Sequence, residues 1–96
     1  MKAKVAYLIV SLLDNEKQEC GLCITTDQTK AQAIGNRIFT SSTSIKTIAT
    51  LELSEHKFAQ IYSQLLSHDI DHLIEKGWIA IPTKHYSLAF KMLELA

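Results

Sequence analysis

The apolar pattern of the chain predicts a small α+β domain, a mostly antiparallel sheet with helices packed on it in the order β-β-α-β-α-α-β-α. Three observations carry this. Residues 3–13 read as a strand that is apolar on both faces, two later segments repeat apolar residues at helical spacing, and glycine or proline stands where elements must end. Ninety-six residues suffice for one core and not for two, so residues 1–96 are read as a single domain. An apolar content of 47% with 21% charged residues is that of a globular chain with a real core rather than of a disordered one.

In the first strand Val5, Tyr7 and Ile9 fall on one face and Ala6, Leu8, Val10 and Leu12 on the other. Both faces therefore require cover, from the domain's own helices or from another chain. The polar residues 14–17 turn the chain into a second strand over residues 18–25. Asp27, or Thr26 before it, is placed to cap a helix through Ala31, Ala33, Ile34 and Ile38, with Gly35 weakening its middle. Residues 40–44 are a polar connection, and residues 45–53 form a third strand with Ile45, Ala49, Leu51 and Leu53 as its apolar positions.

Ser54 caps the next helix, whose Phe58, Ile61, Tyr62 and Leu65 make one stripe. A shorter helix with Ile70, Leu73 and Ile74 stops at Gly77, a left-handed terminator, and residues 78–81 are a short strand. Pro82 and Thr83 open the last helix. There Tyr86, Ala89, Phe90 and Leu93 form one stripe and Leu88, Met92 and Leu95 a second, on nearly the opposite side at about 100° per residue.

The densest set of ligand-type side chains is Ser-His-Asp-Ile-Asp-His at residues 67–72. His68, Asp69 and His72 are the metal candidates, since histidines four apart converge on a continuous helix. His68, Asp71 and His72, with His85 as a fourth candidate, are the residues of a small enzyme or ligand site. On one straight helix, however, the stripe through Leu65 and the stripe of Leu66, Ile70, Leu73 and Ile74 are rotated by about 115°, and Asp69 falls inside the first. A break near residues 67–69 resolves both conflicts: Asp69 becomes an N-cap, Asp71 sits in the first turn near the positive helix end, and His68 lies outside the second helix. The segment is thus read as a joint, with no metal and no cofactor.

Cys20 and Cys23 lie in a strand, where positions three apart face opposite ways, and they read as buried free thiols rather than a redox or zinc pair. Catalysis by either thiol with His56 or His85 lacks a recognisable nucleophile context. The glycines at 21, 35 and 77 are isolated, which excludes a glycine-rich phosphate loop. Ten basic and ten acidic residues balance, and the one arginine, Arg37, together with scattered lysines argues against nucleic-acid binding. The apolar run after the basic start is too short to span a membrane and is followed by residues 14–17, all polar, so a cytoplasmic location is expected.

The function expected is therefore that of a non-enzymatic interaction domain, of accessory or inhibitor type and suited to a phage or mobile element. It binds a protein partner or itself as a homodimer, with Leu88, Met92 and Leu95 on the contact face.

Overall fold

A computed structural model describes residues 3–39 and 47–94. β1 (Val5–Leu13) and β2 (Glu16–Thr25) form a hairpin, α1 (Gln28–Phe39) follows, and β3 (Thr47–Glu52) leads into α2 (Glu55–Tyr62) and α3 (Ser67–Lys76). Then come β4 (Trp78–Ala80), one 3-10 turn (Thr83–His85) and α4 (Tyr86–Glu94). The predicted element order is the one observed. All strand pairs are antiparallel, in the order β3-β1-β2-β4.

The two faces of β1 account for the layering. Tyr7 and Ile9 point into a core completed by Ala31 and Phe39 of α1, while Leu8 and Val10 point into a larger core shared by α2, α3 and α4. The chain's own helices cover both faces, so this strand leaves no apolar face for another chain. Leu8, Ile9 and Val10 are fully buried, each contributing about 1.5–3 kcal/mol of apolar burial.

Asp14 and Asn15, with φ of 53° and 67°, form the hairpin turn. Two successive left-handed residues match the right-handed twist of the strands. β2 accordingly starts at Glu16, ahead of the expected start, with polar side chains that face water from within a strand. The ladder slips once, Ser11 opposing Glu19 and Leu12 opposing Lys17. At this bulge the fully buried Ser11 hydroxyl accepts the Glu19 N–H at 3.1 Å, so the polar group is satisfied.

Asp27 caps α1, its Oδ1 accepting the Lys30 N–H at 2.9 Å. The face that α1 buries is Ala31, Gly35 and Phe39, whereas Ala33 is exposed. Gly35 does more than weaken the helix: a Cβ there would stand 2.6 Å from methyl groups of both Ile9 and Ile48. Ile48, absent from the expected apolar positions of β3, is buried against α1, while Ala49 and Leu51 are half-buried on the other face. Ile45 and the connection at 40–44 lie outside the described residues.

α4 buries Ala89 and Met92, half-buries Tyr86, Leu88, Phe90 and Leu93, and exposes Ser87, Lys91 and Glu94. Its two stripes are the flanks of one broad apolar face centred between them, not opposite sides. A helix laid into the angle between a sheet and other helices is covered over such an arc.

Candidate functional site

The segment richest in chemistry is built around the joint between α2 and α3. Ser54 caps α2 by accepting the Lys57 N–H at 3.2 Å. The helix stops at Tyr62, and residues 63–66 turn with Gln64 and Leu65 donating to the carbonyls of Ile61 and Tyr62 at 2.9 and 3.1 Å. Leu65 ends the first stripe in the core, and the extended Leu66 (φ −81°, ψ 163°) resets the phase for α3. The break that the stripe rotation demands is present, but it falls at 63–66 rather than at 67–69.

Two expectations are corrected by that shift. Asp69 is not the N-cap but lies one turn inside, where its Oδ2 accepts the Leu66 N–H at 3.1 Å. This is half of a capping box, and a leucine at the cap has no side-chain acceptor for the other half. His68 is not outside the second helix: both histidines lie on α3, four residues apart. With Asp69, Trp78, Ile79 and Ala80 they line a shallow pocket of about 240 Å³, to which neither Asp71 nor His85 contributes.

Local structure accounts for the polar groups of this pocket. His68 Nε2 stands 3.3 Å from Asp69 Oδ1 while its side chain remains 76% exposed. The His72 ring meets Trp78 edge-on with 5.0 Å between centroids, a favoured aromatic arrangement. Asp71 is exposed. Among the described residues no three histidine, cysteine or acidic side chains converge as a metal demands.

Cys20 belongs to the core under α2–α4 and Cys23 to the core under α1, so the pair is split by the sheet. Burial pushes the two thiols up to about 12 and about 11. Both stay protonated at neutral pH, the inert form of the group. The Nε2 atom of His85 is buried with no hydrogen-bond partner among the described residues.

Of the residues expected on a contact face, Met92 is closed in the core, Leu88 is half-buried against it, and Leu95 lies outside the described residues. Among the described residues the large apolar side chains that are exposed are Ile74 of α3, 72% exposed, and Leu66 at its N-cap, 51% exposed. With half-buried Ile70 they follow one another every four residues along one flank of the helix. The sequence reading turned this stripe toward the core. Leu73 is buried in it and Ile70 packs against it, but Leu66 and Ile74 stay out, because α3 lies chiefly over β4, a strand of three residues that leaves little sheet to cover the flank. The sequence signal for this was the short extended stretch closed by Pro82.

The arrangement defines an α+β protein with one helix on one face of a four-stranded antiparallel sheet and three on the other. No known protein family, no curated protein and no solved structure matches the chain. Among the described residues no helix is long and apolar enough to cross a membrane.

Proposed function

We propose that this chain is a small non-enzymatic protein-interaction domain, of accessory or inhibitor type, whose contact element is α3. The observation that carries the reading is the exposure of Leu66 and Ile74 on one flank, with half-buried Ile70 between them. Exposed leucine or isoleucine alone is ordinary, but Leu66 at the N-cap and Ile74 on the helix, joined by half-buried Ile70, make a contact stripe of the kind that grooves and helices recognise. Asp71, one turn before Ile74, and Glu75 beside it are exposed on the same side and give the stripe an acidic margin. A partner that fits presents apolar side chains bordered by lysine or arginine. A second α3 fits poorly, because its own carboxylates meet the same acidic margin.

Affinity capture from the native host with the wild-type chain and with Ile74→Lys, followed by reconstitution from the purified partner, tests the reading. The substitution is at an exposed position and leaves folding unchanged. A stoichiometric partner that protects α3 from hydrogen exchange and is lost with Ile74→Lys supports the proposal. Equal binding by both chains, or protection elsewhere with α3 unaffected, overturns it.

A further inference from the structure

The outer edge of β3 pairs with no other strand of the sheet. Leu53 donates its N–H to the Ala6 carbonyl at 2.9 Å, and the pairing continues as Leu51 opposite Leu8 and Ala49 opposite Val10. Because antiparallel residues alternate between facing the neighbour and facing away, Ile48, Thr50 and Glu52 direct their N–H and C=O groups outward. The Ile48 carbonyl shows this directly, since it accepts from the Gln32 side chain at 2.9 Å. Gln28 reaches the Thr50 hydroxyl at 2.8 Å, and the backbone groups of Thr50 and Glu52 on this edge have no partner among the described residues.

Exposed edges are ordinarily protected by lysine, proline, a bulge or extreme shortness. β3 has six residues, Thr-Ile-Ala-Thr-Leu-Glu, with no proline and no lysine, and its register with β1 runs without a slip. Its one charge, Glu52, is at the end. The opposite edge is shorter, β4 offering three residues.

We infer that β3 pairs with β3 of a second copy of this chain, antiparallel about Thr50, so that two sheets join into one. The two-fold arrangement is self-complementary: the N–H and C=O of Thr50 exchange bonds with Thr50 of the second copy. Glu52 then stands opposite Ile48 of the second copy, so the carboxylate does not meet itself, and the Glu52 N–H takes the place of the Gln32 amide on the Ile48 carbonyl. The half-buried Ala49 and Leu51 gain cross-strand neighbours. A formal charge of zero leaves no net repulsion between copies. This surface is separate from α3 and does not depend on the role proposed for that helix.

Sedimentation equilibrium on the full chain, from low to high micromolar concentration, is combined with amide hydrogen exchange. The wild type is expected to dimerise, and the Thr50 and Glu52 amides to gain protection as concentration rises. Thr50→Pro removes an N–H that makes no bond among the described residues, and Thr50→Lys places a charge on the edge. Each is expected to weaken the dimer by about tenfold or more with the circular-dichroism melt of the monomer retained, whereas Ile74→Lys leaves the dimer intact. If Thr50→Pro fails to fold, Thr50→Lys and the amide protection decide. A wild type that stays monomeric at high micromolar concentration overturns the inference. So does a dimer that survives both folded Thr50 variants, or one that is lost with Ile74→Lys alone.

Discussion

Gly35 shows how a single residue can carry opposite meanings in the sequence and in the fold. By helix propensity, alanine there is better by about 1 kcal/mol. In the packed protein the added methyl meets Ile9 and Ile48 at 2.6 Å, and both contacts are with β-branched side chains anchored on strands that cannot swing aside. Overpacking of this kind costs about 1–3 kcal/mol, so Gly35→Ala is expected to lower stability on balance. Urea unfolding followed by circular dichroism measures it, and an unchanged or higher midpoint would show that α1 can lift from the sheet without penalty. Asp27, Ser54 and Gly77 were readable because a cap or a left-handed terminator (Gly77 φ 83°) is decided within a few residues. Gly35 was not, since its partners arrive from two strands distant in the chain.

At the scale of elements, the α2–α3 joint was legible as a necessity and not as a position. Stripe phase requires a break wherever the burial direction rotates, but any of several adjacent residues can supply it. The structure places it where Leu65 can still reach the core and Leu66 can extend, and this turns Asp69 from a cap into the carboxylate that holds the Leu66 N–H. Asp69→Ala is therefore expected to cost about 0.5–2 kcal/mol, the usual range for lost caps, and to speed hydrogen exchange of the Leu66 amide. Asp71→Ala, at an exposed site, is expected to change stability little. Equal losses from the two substitutions would contradict the assignment. The last helix was legible as broadly apolar, yet its two stripes proved to be parts of one face, because Ala89 of the first and Met92 of the second both enter the core.

At the scale of the molecule the described residues form one sheet covered on both faces, and that cover determines how stability responds to pH. Cys20 and Cys23, ordinarily near 9.0, are raised to about 12 and about 11 by burial, and burial shifts Tyr7 and Tyr86 in the same direction. Above 9.0 the unfolded chain has released thiol protons that the native chain retains, so stability falls as pH rises, by about 1.4 kcal/mol per unit for each thiol. Below 9.0 these groups contribute no slope. Urea midpoints measured across this range are expected to be level and then to drop, with a shallower drop in Cys20→Ala; a profile that stays level through 11 would show that the thiols reach water. The sequence by itself determined the element order, the two-faced first strand, the separation of the cysteines onto opposite faces and the need for a joint before residue 70. These follow from periodicity and local caps, which act over a few residues. Only the tertiary structure decided that the chain's own helices cover both faces of β1, that Gly35 is a point of close approach, and that Leu66 and Ile74 stay exposed while Met92 is enclosed. Each of these depends on which elements meet in space and on how far the sheet extends beneath a helix, and that geometry is written in no single segment.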